Sequence, residues 1–140
     1  FLFKGMGLTS EMHFLKEDAR FKEALDEHAQ HVLDWYFNFD KNMGEFIEEV
    51  IKLLESGSLS HANEKLTDIE KHFSTESIFI ARIRSFAQKN GFQKEEKILK
   101  AVLYNISKTL QFFREVGTYI GVDKREGAIS VLRKLQAFIK

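Results

Sequence analysis

Apolar residues recur in steps of three and four along most of this chain. From Asp18 to Ser56 they fall at Phe21, Leu25, His28, Val32, Trp35, Phe39, Met43, Phe46, Val50 and Leu54, the period of a helix with one buried face. Gly44, which costs about 1 kcal/mol against alanine in a helix, and the polar Asp40-Lys41-Asn42 would admit a break. The phase runs through both, so the pattern favours one helix about 60 Å long. Glu55-Ser56-Gly57-Ser58 then supplies a stop, with Gly57 at C′ and Ser58 as the next N-cap. A second helix follows on Leu59, Ala62, Leu66, Ile69, Phe73, Ile80, Ile83 and Ala87, with Ser77 in the one polar slot, and ends at Asn90-Gly91. The third, Gln93 to Ile120, reads Leu99, Val102, Ile106, Leu110, Phe113, Gly117 and Ile120, with Gly121 as its terminator. Asp123-Lys124-Arg125-Glu126 matches a capping box opening a fourth helix on Ile129, Leu132, Leu135 and Phe138.

Short connections between long helices make neighbours antiparallel. The expected fold is therefore all-α: an elongated up-and-down bundle of three long helices plus a shorter C-terminal one. It forms a single domain over 1–140, divided into an N-terminal extension (1–17), a three-helix unit (18–121) and the C-terminal helix (122–140). Each long helix also carries a second apolar stripe: Leu33, Phe37, Ile47 and Ile51; then Phe79 and Phe86; then Phe112, Val116 and Tyr119. Two stripes ask for a further neighbour. Either they merge into one generous core or they face a subunit or partner. On the second reading Phe37, Phe79, Phe86, Phe112, Val116 and Tyr119 are the candidate interface.

Composition narrows the chemistry. The 140 residues hold no proline, no cysteine and fourteen phenylalanines. Missing proline suits long helices, and missing cysteine removes disulfides, thiolate metal sites and cysteine nucleophiles. Twenty-one basic residues balance twenty-one acidic ones, which gives no net electrostatic reason to expect nucleic acid. Phe1 to Leu8 is apolar but broken by Lys4, Gly5 and Gly7, far short of the roughly 20 residues of a membrane span and without the layout of a signal peptide. It reads as the remainder of an upstream segment or a short docking strand, and the opening on Phe1 raises the expectation of a longer chain. No direct membrane insertion of these residues is expected.

Di-iron bundles use Glu-x-x-His pairs, and none occurs among His13, His28, His31, His61 and His72. His72 with Glu76 and His28 with His31 are too few for a hemerythrin-like site. His28, in the apolar register, reads as a core histidine, whereas His31 and His72 read as surface or boundary residues. The signature of a histidine phosphotransfer domain is absent. Acidic residues cluster at Glu45, Glu48, Glu49 and Glu55 and again at Glu64, Asp68, Glu70 and Glu76, which reads as a solvated helix face. Glu48 with Lys52 and Glu96 with Lys100 fit i,i+4 pairs. No phosphate loop or nucleophile elbow is present, so no catalytic residue, metal ligand or cofactor is expected.

The stretch Asn105-Ile106-Ser107-Lys108-Thr109-Leu110-Gln111-Phe112-Phe113-Arg114-Glu115-Val116 resembles a helix of the PhoU-like phosphate-uptake regulators. Ala24 to Leu33 is similar to their opening helix and Ala62 to Arg84 to their second, so that the resemblance covers about residues 18–121. It implies a single repeat of such a regulator, or the domain appended to sodium/phosphate cotransporters. It further implies a cytoplasmic, non-enzymatic role in phosphate transport or signalling, exercised on a transporter or sensor kinase or through self-association. The family's acidic-x-x-x-Asp metal motif corresponds here to Gln111 and Glu115 on one helix and Phe73 and Ser77 on another, which removes hard oxygen ligands. Alternatives are a structural or sensor four-helix bundle of another family and, third, a hemerythrin- or ferritin-like metal bundle.

Overall fold

The computed structural model describes residues 14–139, the side chains of 40, 138 and 139 aside. Phe1–Leu8, His13 and most of the N-terminal extension therefore lie outside the described residues. A helical turn over 14–17 leads into α1 (Ala19–Ala24), α2 (Glu27–Lys41), α3 (Met43–Glu55), α4 (Leu59–Lys89), α5 (Gln93–Gly121) and α6 (Arg125–Ile139). The expected all-α, up-and-down bundle is present. The 31-residue α4, about 46 Å long, runs antiparallel to α5 as the spine. The α2–α3 rod lies along α4, and α6 folds back on the C-terminal half of α5 and also meets α3. One half thus has four helices in section. The other half has α2, α4 and α5, closed at its end by α1.

The single helix expected from Asp18 to Ser56 is instead broken twice. After α1, Leu25 turns extended (φ −92°, ψ 145°). The Asp26 carboxylate accepts the Ala29 amide at 2.8 Å, capping α2. The Gln30 side chain donates to the carbonyls of Lys22 (2.9 Å), which also takes the Leu25 amide, and Leu25 (3.2 Å), tying the end of α1 to α2. This first break lets α1 fold across the end of the bundle, where Phe21 is fully buried and meets the Phe92 ring edge-on at 5.1 Å.

The second break falls at Asn42 rather than Gly44. The Asn42 side chain donates to the Asn38 carbonyl at 2.9 Å, the kind of local bond with which asparagine competes against helix. Direction survives this break because both halves follow α4. Trp35 on α2 packs on Phe73, and Glu49 on α3 pairs with Lys65 at 2.8 Å.

Three helix ends use one device. Gly57 (φ +82°) and Gly91 (φ +79°) take the left-handed position, where glycine alone meets no Cβ penalty. The following amides reach back five residues, Ser58 to the Leu53 carbonyl (2.8 Å) and Phe92 to Ala87 (2.9 Å), as in a Schellman motif. At the third end the expectation fails. Gly121 is the last residue of α5, and Asp123 (φ +57°) is left-handed, with Lys124 donating to the Tyr119 carbonyl at 2.8 Å. Asp123 therefore closes α5 instead of capping α6, and the capping box is not formed. Short polar residues tolerate this conformation better than most.

A ring cluster fills the centre. Phe73 is 1% exposed and is met edge-on by Trp35 (5.6 Å) and Phe39 (4.9 Å). Phe46 meets both Phe39 and Phe113 at 5.7 Å, and Phe113 stacks on Phe73 at 6.5 Å. Rings from α2, α3, α4 and α5 thus converge beside the Asn42 break. Much of the second stripe enters the same core: Leu33, Ile47 and Ile51 are buried.

Candidate docking surface

Of the six candidate interface residues, Val116 is completely buried, so it belongs to the core and is unavailable to a partner. The other five are half-buried and packed against the core. Phe79 lies in the seam between α2 and α4, with the His28 ring edge-on at 4.5 Å and the Arg82 guanidinium over its face at 5.4 Å. Phe86 stacks on Phe92 at 6.3 Å near the closed end, and Phe37 tilts against Tyr36 at 6.4 Å. Phe112 and Tyr119 share a stripe with Val116. Tyr119 packs so tightly against Gly127 of α6 that a Cβ at residue 127 would stand 2.5 Å from its Cδ1.

The second stripes are thus mainly seams between neighbouring helices. Among the described residues the exposed large apolar side chains are Ile78, Tyr104 and Val122, on α4, on α5 and in the last turn. A partly exposed row of rings marks the α2–α4 seam, which holds the Phe79–His28 pair and Trp35, stacked on His72 (5.1 Å) and Phe39 (5.8 Å). Periodicity alone could not find this strip, because it takes rings from two helices.

The histidines fall partly as expected. His31 and His72 are exposed, and so is His28, which places its ring on the outside of Phe79 rather than in the core. Among the described residues no three His, Asp or Glu side chains converge on one point. Of the four positions corresponding to the acidic motif, Gln111 and Glu115 are exposed, Ser77 is half-buried and donates to the Ser74 carbonyl, and Phe73 is in the ring cluster. Asn105, in the middle of α5, is 2% exposed and its side-chain oxygen accepts no hydrogen bond.

The two carboxylates expected to pair along their own helix, Glu48 and Glu96, bridge helices instead, and Glu70 of the acidic cluster does so too. Glu48 accepts from Gln136 (2.8 Å) and Arg133 (3.3 Å) of α6, and those contacts, Gln136 foremost, hold its carboxyl below the ordinary glutamate range. Glu96 takes Arg84 of α4 at 2.7 Å, and Glu70 takes Arg114 of α5 at 3.1 Å.

At the closed end a carboxyl pair docks α1. Burial at the start of α5, then the neighbouring Asp18, raise Glu95 above the usual range. The hydrogen bond from Glu95, with smaller help from the Phe21 amide and Arg20, lowers Asp18. Around them Arg20 lies over Phe92 (4.9 Å) and Lys94 over Phe14 (4.0 Å). Folding favours protonated Glu95, so its contribution is complete below the unfolded value and is lost as pH rises through the raised folded one. The Asp18 contribution is present above its unfolded value and is lost as pH falls through the lowered one. The pair's own contribution is therefore expected to be greatest between the ordinary aspartate and glutamate values and to fall away on either side, read as the urea midpoint across pH. Glu95→Gln should flatten the limb toward higher pH, and identical profiles for the two proteins would show that the pair is not shared.

No helix among the described residues is long and apolar enough to cross a membrane. Searches among protein families, curated proteins and solved structures find no match to this chain.

Proposed function

We propose that the chain is a non-enzymatic regulatory or interaction domain that docks a helical surface on a protein partner, in the manner of the PhoU-like regulators of phosphate transport that its helices resemble. The observation that carries this reading is the ring strip of the α2–α4 seam, where Phe79, Trp35 and Phe39 stay only half-buried. Aromatic residues in that state are favoured anchors for a partner because they add apolar area at small entropic cost. The strip runs beside the Asn42 break, so a partner seated on it would bear on the joint between α2 and α3 and shift their packing on α4. The phosphate link rests on the resemblance, and the cytoplasm is the compartment it implies.

The test is Phe79→Asp and, separately, Phe112→Asp in the whole chain. Each is expected to abolish self-association or partner binding in sedimentation velocity while far-ultraviolet circular dichroism stays unchanged. Unfolding of both variants would place these rings in the core and remove the docking reading. Inorganic phosphate uptake by cells producing the chain should change, and should return to baseline with Phe79→Asp. An unchanged uptake would reject the phosphate role.

A further inference from the structure

The zero net charge conceals two opposed faces. Between residues 26 and 55 there are eight acidic residues and two basic; between 79 and 108 there are seven basic and two acidic. The first stretch forms the α2–α3 rod, and the second forms the α4–α5 hairpin around the Asn90–Phe92 turn. In that hairpin both carboxylates are already engaged, Glu95 with Asp18 and Glu96 with Arg84. Lys97 and Lys100 are exposed and make no ion pair among the described residues. With Tyr104 and Lys108 they follow steps of three and four, which aligns them on one outward face of α5 about 16 Å long. Tyr104 is 52% exposed within it, and the Lys108 ammonium stands 5.5 Å from its ring.

On the rod, Glu27 and Asp34 lie seven residues apart on the outer side of α2. They are exposed, as is Glu45 on α3, and none of the three makes an ion pair among the described residues.

We propose that the Lys97–Lys100–Tyr104–Lys108 face of α5 docks on the acidic α2–α3 ridge of a second copy of this chain. Charge complementarity selects that occupant: one molecule carries both surfaces, and a copy with no net charge approaches without long-range repulsion. Tyr104 supplies the apolar contact amid the lysines, the role in which tyrosine is enriched at interfaces. This goes beyond the docking reading above, which concerns the aromatic seam of α2 and α4 and none of these residues.

Sedimentation velocity of the whole chain is expected to show association in about 20 mM salt that weakens about tenfold or more by 500 mM, because exposed charges are screened. The double variant Lys97→Glu/Lys100→Glu and the double variant Glu27→Lys/Asp34→Lys should each lose self-association with helicity intact, and mixing the two should restore it. A strict monomer at low salt overturns the proposal. So does association that is indifferent to salt and lost only with Phe79→Asp, an outcome that would leave the aromatic docking reading standing. Binding of heparin or anionic vesicles by the monomer, lost with the lysine variant, would assign the face to a polyanion instead.

Discussion

Phe73→Ala is expected to lower the unfolding free energy by about 3–5 kcal/mol, the range for emptying a buried phenylalanine site. The ring is 1% exposed and meets Trp35, Phe39 and Phe113, so its removal opens a cavity bordered by rings from α2 and α5. Collapse of the site is resisted by its position. The neighbouring rings are held on α2 and α5, and Phe46 is wedged between Phe39 and Phe113. Urea unfolding followed by circular dichroism measures the loss. A change below about 1 kcal/mol would mean that the ring cluster is not close-packed. Phe73→Leu, which keeps most of the volume, should lose less than half as much.

Gly127→Ala is expected to destabilise the protein, although alanine is favoured over glycine in a helix by about 1 kcal/mol. The new Cβ would stand 2.5 Å from Tyr119 Cδ1 and 3.0 Å from its Cγ. Because Cγ is the root of the ring, rotating the ring alone does not clear the contact. Either α6 backs away from α5 or Tyr119 changes rotamer, and overpacking of this kind costs about 1–3 kcal/mol. In a Tyr119→Ala background the same substitution should become stabilising, so a double-mutant cycle by thermal or urea unfolding isolates the contact. Additive effects in that cycle would show that Gly127 plays no part in the approach of the two helices.

Much of the fold could be read from particular residues. The spacing from Leu59 to Ala87 and from Leu99 to Ile120 defines α4 and α5, and Gly57 and Gly91 mark two of the turns, because helix periodicity and left-handed glycines are local properties. The break after Leu25 has a local signal in Asp26, a good N-cap, which an apolar phase that runs straight through it does not show. Asp123 misled in the opposite sense. An aspartate followed by Glu126 fits a capping box, yet the end of α5 claimed it first as a left-handed closure.

The docking surface was legible only in outline. Phe37, Phe79, Phe86, Phe112 and Tyr119 were recognisable as a second stripe, and all five are half-buried against the core. Which element covers each ring depends on how short α6 is and how far α1 folds back. Val116 shows the consequence, being in register with Phe112 and Tyr119 yet fully enclosed. The partnership of Trp35 with His72 joins residues 37 positions apart, which no local window contains.

Composition and periodicity were therefore sufficient for an all-helical, antiparallel bundle, because the absence of proline and the steps of three and four act within single turns of helix. Folding in three dimensions chose where the first rod breaks, since burying Phe21 against Phe92 and bringing Phe39 and Phe46 together on Phe73 and Phe113 are gains available only between distant segments. The sequence already separates an acidic stretch at 26–55 from a basic one at 79–108, and folding assigned the first to the α2–α3 rod and the second to the α4–α5 hairpin. A sum over residues carries no information about which side of the bundle each charge occupies.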